Sequence, residues 1–159
     1  MRKLIIASLP MLFSAPVFAQ AQGEPIMVSG RCDARSGVTI DDGENNQFGC
    51  DFAVITRTER GTVLIQFSDR AGDDGRILGF AGTIEGRQGF GADLVQMLAV
   101  ERLYLAGGAQ PVPATAGSCI MNWTGLHRTG GRLTSVTCGA RGQAEGSDIR
   151  ALVQLVVSN

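Results

Sequence analysis

The amino-acid sequence predicts an all-β fold, either a small antiparallel β-sandwich or a partly closed barrel of about seven or eight strands, stapled by two local disulfides. Three observations lead to this prediction. All 22 glycines follow the first 20 residues, and glycine at that density interrupts helices and marks turns. Between the glycines, apolar and polar residues often alternate, which is the period of a half-buried strand. Four cysteines form two pairs of nearly equal spacing.

The first nineteen residues are typical of a secretory signal peptide. Arg2 and Lys3 precede an apolar run over residues 4–18 that leads into a small-residue cleavage site. We therefore expect residues 1–19 to be removed and residues 20–159 to fold as one domain, in the periplasm or secreted from the cell. No later stretch reaches the roughly 18 apolar residues that a membrane-spanning helix needs.

The cysteines favour two local disulfides. Cys32 and Cys50 are 18 residues apart, and Cys119 and Cys138 are 19 apart. An even number of cysteines behind an export signal indicates disulfides formed in an oxidising compartment. Each local bridge would contribute about 3 kcal/mol in the chain-entropy model. A zinc site is the alternative, but the sequence has no Cys-x-x-Cys pair and a single histidine.

The clearest element is a hairpin formed by residues 50–57 and 62–68. Both segments are rich in β-branched and aromatic residues. The turn between them ends at Gly61, which can take the left-handed conformation that a bulged hairpin needs.

The next two segments are predicted as strands with different clarity. Residues 76–85 alternate, and Gly79 and Gly82 within them indicate a bulge or a close backbone approach. Residues 92–105 carry helix-capping signals at both ends. Their polar residues nevertheless scatter around a helical wheel, so we favour a strand over residues 100–105.

The C-terminal third predicts a second hairpin and a final strand. These strands cover residues 118–124, 133–138 and 149–157. If Thr124 pairs with Leu133, then Cys119 faces Cys138. Facing residues of an antiparallel pair have Cα atoms about 4.5–5.5 Å apart, which is within disulfide reach.

Charge argues against nucleic acid as the main partner. The segment after the signal peptide holds 12 arginines and 15 acidic residues, which gives a net charge of −3. The arginines are scattered and form no basic stripe. Nucleic-acid binding depends on concentrated positive charge, which this distribution does not supply.

Two acidic loops are candidates for calcium binding, because calcium prefers carboxylate oxygens. The candidate ligands are Asp41, Asp42, Asp69, Asp73 and Asp74. The second loop departs from the helix–loop–helix calcium pattern, with Ala71 at a ligand position. Turns are ordinarily built from Asp, Asn and Gly, so we predict no metal site.

The sequence carries no catalytic or cofactor motif. It lacks the Gly-x-Ser-x-Gly elbow of serine hydrolases, a P-loop and a Gly-x-Gly-x-x-Gly loop. The single histidine, His127, lies in a glycine-rich turn. We therefore predict no cofactor and favour a protein that is not an enzyme, with His127, Arg128 and Trp123 as the candidate binding residues.

These observations predict an exported, non-enzymatic β-domain that binds or supports another envelope or extracellular macromolecule, a protein or a glycan. The alternative is a small exported hydrolase or carbohydrate-active enzyme that uses loop carboxylates. A cleft with two converging carboxylates would favour the enzyme. A flat apolar patch or an open strand edge would favour the binding protein.

Overall fold

A computed structural model describes residues 24–69, 76–105, 110–125 and 131–158. Within these ranges the chain forms ten antiparallel strands and no helix, so it contains no helix able to cross a membrane. The strands are β1 (Ile26–Cys32), β2 (Gly37–Ile40), β3 (Asn46–Gln47), β4 (Phe52–Arg57), β5 (Val63–Ser68), β6 (Ile77–Phe90), β7 (Asp93–Tyr104), β8 (Val112–Thr124), β9 (Arg132–Ala144) and β10 (Ser147–Val157).

Eight of these strands form a partly closed ring. They follow one another as β1, β4, β5, β6, β7, β8, β9 and β10, and β10 then pairs with β1. The closing ladder joins Gly30 to Val157 and Cys32 to Leu155. The N-terminal half of β10 pairs with β2 instead, and β3 follows β2 as an edge. The all-β prediction is confirmed, and the ring corresponds to its partly closed barrel.

The segment before Cys50 accounts for the difference between ten strands and the predicted seven or eight. It contributes β1, β2 and β3. These strands are seven, four and two residues long. Alternation over so few residues is too short a pattern to identify a strand.

Side chains fill the interior of the ring. On β5, Val63, Ile65 and Phe67 point inward and are at most 3% exposed. The rings of Phe67 and Phe80 meet edge to face, with centroids 5.9 Å apart and an interplanar angle of 84°. The largest fully buried residues are Phe67, Phe80, Ile65, Leu78, Leu98, Leu103, Met121, Leu155, Val136 and Val153. The period-two pattern of the sequence therefore places a continuous apolar core inside the sheet.

The predicted hairpin between β4 and β5 is present. Arg57 pairs with Val63 at its closed end. Gly61 has a φ of +81°, and its N–H donates to the carbonyl of Thr58 at 3.0 Å. The left-handed conformation is the reason for glycine at this position.

Gly82 marks both a bulge and a close approach, as its place in the strand predicts. The ladder between β6 and β7 shifts register between Ala81 and Gly82. A Cβ atom on Gly82 would lie 1.7 Å from the carbonyl oxygen of Ala99, so only glycine fits. Residues 93–104 form a strand throughout. The strand is longer than predicted because β6 supplies backbone partners along it.

Both local disulfides are present. Cys119 faces Cys138 across β8 and β9, with Cα atoms 4.0 Å apart, and the Cα atoms of Cys32 and Cys50 are 5.1 Å apart. The proposed partner of Thr124 is wrong, however. A register shift between Asn122 and Trp123 makes Thr124 pair with Arg132, because a one-residue bulge lies between the disulfide and the turn.

The loop closed by Cys32 and Cys50 contains β2 and β3 and covers one end of the ring, which we call the capped end. Phe48 is 6% exposed there, and its N–H donates to the carbonyl of Ser36 at 2.8 Å. The buried hydroxyl of Ser36 accepts the N–H of Gln154 at 3.1 Å. This bond supplies an acceptor to a backbone N–H of β10 at the point where the strand that pairs with β10 changes from β2 to β1.

Candidate functional site

The sequence-predicted site residues divide between described and undescribed parts of the chain. His127, Arg128, Asp73 and Asp74 lie outside the described residues. Trp123 lies on β8, where it is half-buried and packs against the apolar core.

The carboxylates of the first acidic loop are engaged with the protein's own chain. The Asp41 carboxylate accepts the backbone N–H of Asp148 at 2.9 Å. The guanidinium of Arg150 contacts the Asp42 carboxylate at 2.7 Å. Asp69, from the second loop, is exposed just after β5. Within the described ranges, no three His, Cys, Asp or Glu side chains cluster as metal ligands.

A cavity opens at the end of the ring opposite the capped end, near the turn that connects β4 to β5. We call this the open end. The cavity measures about 220 Å³. Its apolar wall includes Ile55, Val63 and Met121, which are 7%, 3% and 2% exposed. The cavity is therefore a shallow extension of the core toward solvent.

Polar residues occupy inward-facing positions around this cavity. Ile55 on β4 points into the core, and Arg57 is the next residue on the same face. Likewise Leu98 on β7 is fully buried, and Gln96 precedes it on that face, opposite the buried Met121. The alternation that builds the core therefore ends in polar side chains at the open end.

The polar side chains of the open end have no hydrogen-bond or ion-pair partner within the described chain. The side chains of Glu24, Arg57 and Gln96 line the cavity, and no hydrogen bond or ion pair among the described residues involves them. Trp123 also lines the cavity, but its indole N–H is buried away from the accessible surface and has no hydrogen-bond partner. A buried, unpaired donor costs about 1–3 kcal/mol.

A second cavity of about 230 Å³ lies at the capped end, between the β2–β3 segment and the start of β6. Ile77, Leu78 and Leu105 contribute to its wall. The amide of Gln47 also lines it, but donates to the carbonyl of Ala34 at 2.8 Å. This polar group is thus satisfied by the protein itself.

The two end cavities do not bring two carboxylates together. Glu24 is the one acid at the open end, and the capped-end cavity has none. Asp148 and Asp93 line two separate depressions, the first mainly polar and the second mainly apolar. Neither end cavity therefore assembles the paired carboxylates that glycoside hydrolysis requires.

The outer surface of β7, β8, β9 and β10 has twelve adjacent outward positions without a charged residue, which we call the neutral face, and the Arg35 guanidinium reaches its edge, 3.5 Å from Gln154 Oε1. The neutral face consists of Val95, Met97, Ala99, Ser118, Ile120, Asn122, Ser135, Thr137, Gly139, Leu152, Gln154 and Val156. Met97, Ile120, Leu152 and Val156 are 46%, 38%, 44% and 57% exposed. The face is uncharged and open to solvent, with five polar residues among its apolar ones.

The outward side chains of β4 and β5 are also uncharged, but they differ in exposure. All outward residues of these two strands are half-buried: Phe52, Val54, Thr56, Leu64, Gln66 and Ser68. The neutral face thus combines absence of charge with exposed apolar side chains.

An exposed ion pair lies at the capped end. Arg35 Nε contacts Asp33 Oδ1 at 2.9 Å, and the backbone N–H of Arg35 donates to the same oxygen at 2.9 Å. The side-chain hydrogen bond chiefly, and the backbone bond after it, hold the pKa of Asp33 below its ordinary value. The same contact raises the pKa of Arg35.

The described chain is thus a disulfide-bonded, all-β ring with one capped and one open end. No family model, curated protein or solved structure matches it. Its two disulfides fit an oxidising compartment outside the cytoplasm.

Sequence reasoning identifies Trp123 but misses Arg57 and Gln96. A signal was available for both: each continues the inward face of an alternating strand, two residues from a core position. Because Arg57 ends its strand and Gln96 lies in the ambiguous segment, the face of either residue becomes evident only from the pairing.

Proposed function

We propose that the protein is an exported, non-enzymatic domain that binds another envelope or secreted protein through the neutral face. The observation that carries this proposal is the absence of charge at twelve adjacent outward positions. A surface designed for solubility is about 25–35% charged, and at that density twelve positions would carry about three or four charged residues. Exposed apolar residues grouped in this way are typical of interaction surfaces.

The dimensions of the face suit a small interface. Four strands about 4.8 Å apart and three rows about 6.7 Å apart cover roughly 400 Å². A standard interface buries about 800 Å² on each partner. The neutral face therefore serves as the apolar centre of a contact whose rim includes the charged residues Asp93 and Arg132 at one end and Arg141 and Arg150 at the other.

The chemistry of the face favours a protein partner over a glycan. None of its twelve residues is aromatic or charged, so the face itself offers neither rings to stack on sugars nor ionic groups to hold their hydroxyls. An uncharged, largely apolar surface on another protein matches it, because burial of both surfaces is favourable without charge compensation.

Site-specific crosslinking tests this proposal. A photo-crosslinking residue replaces Ile120 in the full chain, expressed in its native cell. The matched control places it at Met27, which is 65% exposed on β1. We expect one crosslinked protein from position 120 and none from position 27. Leu152→Asp, at an exposed position of the same face, should abolish the product without lowering the melting temperature.

Three outcomes would overturn the proposal. Equal products from both positions would show non-specific contact, and persistence of the product in Leu152→Asp would place the contact elsewhere. A crosslinked product made of two copies of this chain would show that the neutral face mediates self-association and does not bind a different protein.

A further inference from the structure

The open end offers more hydrogen-bond donors than acceptors. Arg57 and Gln96 present a guanidinium and an amide to the cavity, and neither side chain donates to a group of the described chain. Both residues lie on paired strands. The one carboxylate, Glu24, precedes β1. A group that accepts hydrogen bonds therefore fits this end better than a cation.

The cavity as a whole has the volume of a short hydrocarbon group. It measures about 220 Å³, whereas a dry cavity of about 150 Å³ holds benzene. By proportion, the open end accommodates about six to nine carbons. The part of the wall formed by Ile55, Val63 and Met121 is apolar, which favours a hydrocarbon occupant on that side, whereas Glu24, Arg57 and Gln96 line the cavity elsewhere.

We propose that the open end binds a medium-chain carboxylate, with its hydrocarbon chain in the cavity and its head group on the Arg57 guanidinium. Guanidinium binds carboxylate through two parallel N–H···O bonds, which are charge-assisted and geometrically specific. The site is distinct from the neutral face, which lies on the outside of the wall, so the proposal does not depend on protein binding there.

The single tryptophan of the sequence supplies a direct readout. Trp123 lines the cavity, so the mature protein is titrated with sodium octanoate while its tryptophan fluorescence and melting temperature are measured. We expect a saturable fluorescence change and a rise in melting temperature, because a ligand that binds the folded state stabilises it. Acetate should have neither effect, because it lacks the chain.

Head-group controls separate carboxylate recognition from hydrophobic partitioning. Octylamine carries the same chain with a positive head, and octanol carries it with a neutral one. Both should bind at least about tenfold more weakly than octanoate, the ratio expected for loss of a charge-assisted hydrogen bond. Phosphatidylglycerol vesicles test whether the chain comes from an intact lipid. Free octanoate should bind, and the vesicles should leave the fluorescence unchanged.

A matched pair of variants locates the head group. Arg57→Gln should weaken octanoate binding about tenfold and leave octanol binding within twofold. Arg60→Gln removes the same charge from the nearby exposed turn, which does not line the cavity, and should leave both ligands unchanged. Ile84→Phe places a larger side chain in the cavity wall, narrows the cavity, and should weaken the binding of octanoate and of octanol equally.

Several results would overturn the proposal. Absence of a fluorescence and melting response to millimolar octanoate would remove it. Equal binding of octanoate and octylamine would assign the effect to the hydrocarbon chain alone. Equal effects of Arg57→Gln and Arg60→Gln would replace a specific head-group contact with general electrostatics, and a response to vesicles would make the ligand a membrane lipid.

Discussion

The two ends of the ring hold cavities of nearly equal volume, about 220 and 230 Å³, but the hydrogen bonding of their polar groups differs. At the capped end, the Gln47 amide and the Ser36 hydroxyl bond to backbone groups of the same chain. At the open end, Arg57 and the Trp123 indole N–H have no such partner among the described residues. Volume therefore does not distinguish the two ends, whereas their buried polar groups do: the buried Ser36 hydroxyl accepts a hydrogen bond, and the buried Trp123 indole N–H has no acceptor.

The largest expected effect comes from opening the capped end. Phe48→Ala removes a side chain that is only 6% exposed and should lower the free energy of unfolding by about 3–5 kcal/mol. Urea denaturation measures this loss. Phe90→Ala, at a residue 57% exposed on β6, is the control and should cost less than about 1 kcal/mol. Equal losses would mean that Phe48 does not seal the end.

Removal of the bridge that holds the cap should have the next largest effect. The double variant Cys32→Ser, Cys50→Ser loses about 3 kcal/mol of stability, because an 18-residue loop is no longer closed in the unfolded chain. Hydrogen exchange should quicken in residues 33–49 and stay slow in β8 and β9. Uniform acceleration throughout the ring would contradict an independent cap.

The fork of β10 provides a smaller test of the capped end. Ser36→Ala leaves the N–H of Gln154 without its acceptor and should cost about 1–3 kcal/mol, measured as a shift in the urea midpoint. Ser118→Ala, at an exposed position on β8, should change stability by less than about 0.5 kcal/mol. A negligible effect of Ser36→Ala would show that water replaces the hydroxyl.

At the open end the same kind of change should have the opposite sign. Gln96→Leu replaces an unpaired amide on an inward-facing position with a hydrocarbon side chain and should raise the free energy of unfolding by about 0.5–1 kcal/mol. The corresponding change at the capped end, Gln47→Leu, breaks the bond to Ala34 and should destabilise. If both variants destabilise, the amide of Gln96 has a structural partner.

The smallest effect concerns the ion pair at the capped end. Because the pKa of Asp33 is lowered in the folded protein, its contribution to stability is present above the ordinary carboxyl pKa and is lost as the pH falls through the folded value. Arg35→Gln should raise the pKa of Asp33 toward its ordinary value, which NMR titration of the carboxyl carbon measures. An unchanged pKa would show that the backbone N–H alone holds the carboxylate.

Local patterns predict the parts of this fold that are built from neighbours in sequence. The opposition of Cys119 and Cys138 follows from a short hairpin, and Gly61 and Gly82 have the roles that their positions predict. The Thr124 pairing fails because a bulge changes register without leaving a mark in the alternation. The short strands before Cys50 are missed because their stability comes from distant partners on β10 and β4.

By itself, the sequence determined the strand-forming alternation, the turn glycines and the two local disulfide pairings, because each depends on residues close together in the chain. Only the tertiary structure decided that the strands close into a ring, that one end is capped by the Cys32–Cys50 loop, and that Arg57, Gln96 and Trp123 meet at the other. Those three residues come from three different strands, and their convergence depends on long-range register, which alternation within a single strand does not encode.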